Sequence, residues 1–188
     1  ADPVVLERAA AELGPRLRRL QIVDGSPSLS VGKVRALALR AMDRWSAERS
    51  LVVIDYVQLM AKTVTELRSI SDVRGKVDTL TGELIALGKR LGSPILALSS
   101  QSRSGGGYGS GGGRDSLDSL KESGDLEFGG DVVMFLTEDK ERGATPPARA
   151  VRLSIKKHRH GPTDKIPLVF LADRGVFREE SDAIPAFD

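Results

Sequence analysis

Three stretches of this chain carry side chains able to do chemistry. The first is Asp55, which closes the apolar run "LVVI". In an open parallel sheet, ligands sit at the carboxyl ends of the strands, and an aspartate there can hold a magnesium ion through water. An aspartate at such a point can equally cap the next turn, and the residue alone does not separate the two roles. The second stretch is "SSQSR", which puts Ser100, Gln101 and Arg103 at the end of another apolar run and so at the same rim. The third is "IKKHRHG". Side chains alternate along a strand, so Lys157 and Arg159 are expected on one face, and His158 and His160 on the other. A lysine and an arginine two residues apart make a paired cationic reach suited to phosphate oxygens. A solvated basic edge strand has the same composition. The two histidines are a possible metal pair, but no third ligand accompanies them. Backbone amides in the glycine-bearing turn "KESGD" are a further way to hold phosphates.

The stretch "SVGKV" raises a different expectation, because Gly32-Lys33 resembles the end of a phosphate-binding P-loop. The spacing excludes it. That motif needs a glycine, four residues, then Gly-Lys and a hydroxyl residue. Pro27 stands where the first glycine belongs, and Val34 where the hydroxyl would ligate magnesium. No other stretch fits better. Ser30 is instead read as the N-cap of a helix through "VGKVRALALRAMDRW", with Val34, Leu37, Ala38 and Met42 on one face.

The elements that must position these residues alternate. "DPVVLERAAAELGPRLRRL" reads as a helix with Asp2 as N-cap and Pro3 in the first turn, broken or kinked at Gly14-Pro15. "LQIVD" has the length of a strand. "LVVIDYVQLM" reads as a strand buried on both faces. Val73, Val77, Leu80, Leu84, Leu87 and Leu91 form an apolar stripe, capped by Ser71 and closed by Gly92 and Pro94. "PILALSS" is another buried strand. "DVVMFLT", "RAVRLSIKKHR" and "IPLVFLA" are three more, and the Gly- and Pro-bearing link at 143–147 makes the later ones an antiparallel ribbon. The order implies an α/β layered fold, with a mostly parallel central sheet and a C-terminal antiparallel extension, in a single domain over 1–188. Residues 104–113, "SGGGYGSGGG", are expected to form a flexible loop.

Composition narrows the classes. The net charge is only +2, so any nucleic-acid contact must come from local clusters. Aromatic residues make up 4% of the chain, too few for a single-strand binder built on base stacking. There is no cysteine, which excludes a disulfide framework or thiolate metal site and fits a reducing, cytoplasmic compartment. No apolar run approaches membrane-spanning length, so no membrane association is expected. Ala1 is not an initiator methionine, and the chain is expected to be a fragment or a processed product.

Taken in order, the segments resemble the RecA-like C-terminal domain of DnaB-type replicative helicases. "LVVIDYVQLM" looks like that family's Walker B strand, and "PSLSVGKVRALALR" like the segment before it. "SLKESGDLEFGGDVVMFL" and "IKKHRHGPTDKIPLVFL" are similar to two later family motifs. The likeness covers nearly the whole chain. By this resemblance Asp55 coordinates the Mg2+ of bound ATP, while Ser100 and Gln101 lie at the γ-phosphate sensor. Lys157 and Arg159 reach a neighbouring subunit's γ-phosphate, with Arg159 as an arginine finger. Arg103, Lys121, Glu122 and Gly124 contact single-stranded DNA in the channel of a homo-hexamer. A primase or a helicase loader is an implied partner.

Three departures accompany the likeness, one being the unusually long run of glycines in the loop 104–113. The family has glutamine directly after the strand-end serine, where this chain has Ser100, with Gln101 one position later. The family's P-loop, with its first strand, following helix and catalytic glutamate, is expected to precede residue 1, so this chain alone is expected to be inactive. Two other readings remain: a RecA-like recombination or regulatory ATPase, and a non-catalytic DNA-binding or assembly module that has the fold without the P-loop.

Overall fold

The long stripe of leucines builds the helix around which the first half of the chain is organised. In the computed structural model, which describes residues 3–25, 29–100 and 129–179, that helix is α4, Val73–Leu91. It follows α1 (Pro3–Leu17), α2 (Val31–Arg44), β1 (Val52–Ile54) and α3 (Val57–Thr63), and precedes β2 (Ile95–Ala97). Val77, Leu80, Leu84, Leu87 and Leu91 are buried. They pack against α3 and α2, whose own buried residues are Val57, Met60 and Ala61 and then Val31, Val34 and Ala38. Complete burial of a leucine side chain stabilises by about 1.5–3 kcal/mol, so Leu80 and Leu87, both at 0% exposure, anchor this core.

Local chemistry sets the helix ends. Ser30 caps α2, its Oγ accepting from Lys33 N at 3.4 Å. Gly32 and Lys33 therefore stand in a first helical turn, as the spacing required. Gly92 closes α4 in the left-handed region at φ 56°, where a side chain is disfavoured. The N-cap of α4 is Asp72 rather than Ser71: its Oδ1 accepts from Gly75 N at 2.6 Å, and the shift leaves Val73 45% exposed. Helix α1 is not broken at Gly14-Pro15. Pro15 removes one backbone bond only in the last turn, and the helix ends two residues on.

Strands β1 and β2 pair in parallel, with Val52 opposite Ile95 and Ile54 opposite Ala97. The pair is shorter than the apolar runs predicted, because the chain leaves β1 for α3 just after Asp55. It is also buried on one side only: Ile54 faces the core, whereas Val53 and its partner Leu96 are 52% and 42% exposed. The run Leu20–Asp24 is not a strand. Among the described residues it joins neither sheet, and Ile22 is 87% exposed. The run borders a cavity of about 350 Å³ lined by Leu20, Val23, Val34, Leu37, Met42 and Trp45 among others.

The second half is an antiparallel sheet in the order β3-β4-β5-β6, from Val132–Glu138, Ala148–His158, Asp164–Leu171 and Val176–Glu179. The ribbon expected from the sequence is present, with the additional strand β6, where Phe177 stacks on Phe170 at 4.6 Å between ring centroids. Asp139, just past β3, is buried and receives Arg152 Nη2 at 2.6 Å. The chain divides into two compact units, residues 1–100 and 101–188. The parallel pair belongs to the first and the antiparallel sheet to the second.

Candidate functional site

In the first unit the rim is built at the carboxyl ends of the parallel pair. Asp55 follows β1 directly and its side chain is exposed. It does not cap the next helix. That position belongs to Tyr56, whose side chain makes no capping bond, so the structural role left open for Asp55 by the sequence is not the one it plays.

Beyond the last strand residues, pairing continues in irregular form. Leu98 N donates to Ile54 O at 3.0 Å, and Val57 N donates to Leu98 O at 2.9 Å. Then a side chain takes over. Gln58 Nε2 donates to Ser99 Oγ at 2.7 Å and to Ser100 O at 3.2 Å, and Gln58 Oε1 accepts from Ser100 N at 3.2 Å. Asp55 and Ser100 thus stand on two strand ends that are tied together, and both are exposed. A carboxylate and a hydroxyl are hard oxygen donors, the type Mg2+ takes when it also keeps waters and substrate phosphates. The donor types fit that ion.

The basic site of the second unit differs from its sequence expectation. Strand β4 ends at His158, and Arg159 and His160 lie in the following turn, so strict alternation does not carry through to Arg159. The register also shifts within the strand. Val133 is opposite Lys157 and Met134 opposite Ile155, which leaves Lys156 as the extra residue of a bulge. Lys157 is half-buried.

The position of Arg159 is set by Asp131. Its backbone N donates to Asp131 O at 2.8 Å, and its Nη1 lies 2.7 Å from Asp131 Oδ1. Opposite it, the His158 ring folds over the turn. Nδ1 is 3.2 Å from Pro162 O, a hydrogen bond when that nitrogen carries the proton. A Cβ on Gly161 would overlap this ring.

Asp55 and Ser100 belong to the first unit, and Lys157 and Arg159 to the second. Gln101, Arg103, Lys121, Glu122, Gly124 and the loop 104–113 lie outside the described residues. Gln58 and Asp131 were not singled out from the sequence. Gln58 carried one available signal, a polar residue three positions after Asp55 inside an apolar run. Asp131 carried another, an acid directly before β3 at the start of "DVVMFLT".

Residues 7–179 match the model of the DnaB-like helicase C-terminal domain. The replicative DNA helicase DnaB of Leifsonia xyli is 30% identical over 164 residues, covering 87% of this chain and 34% of that protein. Its counterpart from Geobacillus stearothermophilus is 29% identical over 156 residues, covering 82% and 33%. The chain therefore spans about a third of the length of these curated relatives. Among solved structures, an ATPase domain aligns at a TM-score of 0.67 with 25% identity, over 81% of this chain and 52% of the other. A DnaB-like replicative helicase, studied with its interactions with primase, aligns at 0.75 with 24% identity, over 94% and 42%. The second of these likenesses bears on the fold alone, which is RecA-like.

Proposed function

The chain belongs to the DnaB-like helicase C-terminal domain family, and from that membership we propose that it is the C-terminal portion of the ATPase motor of a replicative DNA helicase. In this reading the parent protein couples ATP hydrolysis to translocation on single-stranded DNA and to duplex unwinding, as a homo-hexamer. The observation that carries the reading within the molecule is the rim at Asp55. An exposed carboxylate, not spent on a helix cap, ends one parallel strand beside the tied end of another.

Asp55 would hold Mg2+ through water, with Ser100 and Gln101 toward the nucleotide. When bound, the ion neutralises charge on the β- and γ-phosphates. The chain's own residues do the rest. The strand ends fix where the phosphates can lie, and Lys157 and Arg159 bring positive charge to the γ-phosphate of a neighbouring subunit. Arg103, Lys121, Glu122 and Gly124 are assigned to the single-strand backbone. A primase or a loader is the proposed protein partner, and the cytoplasm the proposed location. Among the described residues no helix is long and apolar enough to cross a membrane.

The test uses the full-length protein containing these residues. ATP hydrolysis stimulated by single-stranded DNA and unwinding of a forked duplex are expected, and both are lost in Asp55→Asn. Wild-type hydrolysis in the folded Asp55→Asn protein would overturn the reading.

A further inference from the structure

The three hydrogen bonds of Gln58 have the pattern of a missing strand residue. In a parallel ladder, one residue of a strand uses both its N–H and its C=O toward the same neighbour, and the next residue but one does so again. Leu98 does this with the backbone of Ile54 and Val57. Ser100, two residues on, does it with a side chain: its N–H goes to Gln58 Oε1 and its C=O accepts from Gln58 Nε2. A primary amide is the side-chain group that carries a donor and an acceptor in one plane, as a peptide unit does. Ser99, between them, offers its Oγ to the same Nε2 at 2.7 Å.

The reason for the substitution is local. The chain must leave β1 after Ile54 for Asp55 to stand at the strand end, and α3 then begins at Val57. The backbone that would have paired with Ser100 has turned away into the helix. Gln58, in the first turn of α3, returns a peptide-like group to that place.

We propose that Gln58 is a positioning residue. Its amide extends the β1–β2 ladder by one side-chain rung and so fixes the Ser99–Ser100 backbone relative to Asp55. The proposal rests on the reading of Asp55 as the metal-holding carboxylate of an ATPase. It concerns geometry only: the side-chain amide of Gln58 is engaged by Ser99 and Ser100. Misplacement of a phosphate-binding edge by about 1 Å is enough to cost on the order of 10²-fold in rate, with little effect on the binding of the remainder of the nucleotide.

Gln58→Met keeps the length of the side chain and removes all three bonds. In the full-length protein, kcat for ATP is expected to fall about ten- to a hundredfold, with KM changed less than about threefold and the melting temperature held. In the 188-residue chain, the Ser100 amide is expected to exchange with solvent at least about tenfold faster, while amides in the middle of α4 are unaffected. Ser99→Ala, which removes one bond and leaves the Ser100 pair, should fall between wild type and Gln58→Met on both measures. Where Gln58→Met does not fold, Gln58→Glu carries the test, since it retains an acceptor for Ser100 N–H and loses both donated bonds.

Wild-type kcat and wild-type Ser100 exchange in whichever variant folds, with Asp55→Asn inactive, overturn the positioning role and leave the ATPase reading standing. An active Asp55→Asn overturns that reading, and the positioning role with it. A loss of melting temperature in proportion to the loss of activity assigns Gln58 to stability alone and also overturns the proposal.

Discussion

Arg159 and Asp131 are joined twice, by a backbone hydrogen bond of 2.8 Å and by an ion pair of 2.7 Å. The backbone bond continues the β3–β4 pairing one step beyond Val132 and His158. The ion pair is open to solvent, with side chains 52% and 67% exposed. Exposed pairs contribute about 0.2–1 kcal/mol and are screened by salt. A weak hold of this kind orients the guanidinium, and in the proposed role a phosphate would displace the carboxylate through its greater charge.

Replacing Asp131 by Asn keeps the backbone bond and removes the ion pair. The expected loss of stability is therefore below about 1 kcal/mol. Urea denaturation checks it: the midpoint should move slightly, the slope should not, and the difference should vanish as salt is raised. A loss several times larger would mean that the ion pair, rather than the rung beneath it, sets the end of β4.

Much of the fold was legible because its signals are local. The stripe from Val77 to Leu91 repeats at helical spacing, and Gly92 ends it, so α4 could be read from one segment alone. Its cap was misread by one residue, since Ser71 and Asp72 are adjacent and both able to cap. What was not legible depends on partners. The bulge at Lys156 exists only in register with Val133 and Met134, and β4 ends at His158 opposite Val132, with Arg159 tied to Asp131 one step beyond. Leu20–Asp24 has strand composition without a ladder. Gln58 gained its role from Ser99 and Ser100, more than forty residues away in sequence. Of the candidate site residues, Asp55 and Arg159 were singled out by type and position, but the contacts that hold their surroundings come from residues distant in sequence.

Asp72→Ala tests the corrected cap. The carboxylate satisfies Gly75 N at 2.6 Å, and loss of an N-cap of this type costs about 0.5–2 kcal/mol. Ser71→Ala should cost only a small part of that range. Thermal or urea denaturation of the two variants separates them, and equal losses would return the cap to Ser71.

Gly161→Ala tests the turn that carries Arg159. The added methyl meets the His158 ring rather than backbone, so the ring is expected to swing away and lose its contact with Pro162 O. The expected cost is that of one hydrogen bond, about 0.5–1.5 kcal/mol. The nitrogen chemical shifts of the His158 ring report the movement directly. Unchanged shifts would show that the ring does not fold over Gly161 in solution.

The purified 188-residue chain is expected to hydrolyse no ATP above background. It contains no Gly-x4-Gly-Lys-Ser/Thr stretch, and without P-loop amides and lysine nothing cradles the β- and γ-phosphates. Coupled-enzyme measurement at high protein concentration checks it. Turnover that disappears in Asp55→Asn would require a second way of binding nucleotide within these residues.

The assignment of Arg159 to a neighbour's nucleotide is the prediction with the largest expected effect. An arginine finger supplied in trans is worth roughly 10³–10⁵ in rate. Arg159 sits in an exposed turn at the end of β4, where the weak pair with Asp131 restrains its side chain. Arg159→Ala in the full-length protein should therefore cripple turnover and leave nucleotide affinity within about threefold of wild type. Loss of rate alone does not distinguish a residue acting in its own subunit from one acting next door, but mixing does. An Arg159→Ala subunit has an intact nucleotide site and lacks the finger. A subunit whose P-loop lysine is replaced has the finger and lacks the site. At a mixed interface each supplies what the other lacks, so hexamers assembled from both should regain part of the activity, with a maximum at intermediate ratios. If mixed assembly is demonstrated by mass measurement and no ratio exceeds either variant alone, Arg159 does not act across the interface. Its charge is then that of a solvated turn, held by Asp131 and serving stability only.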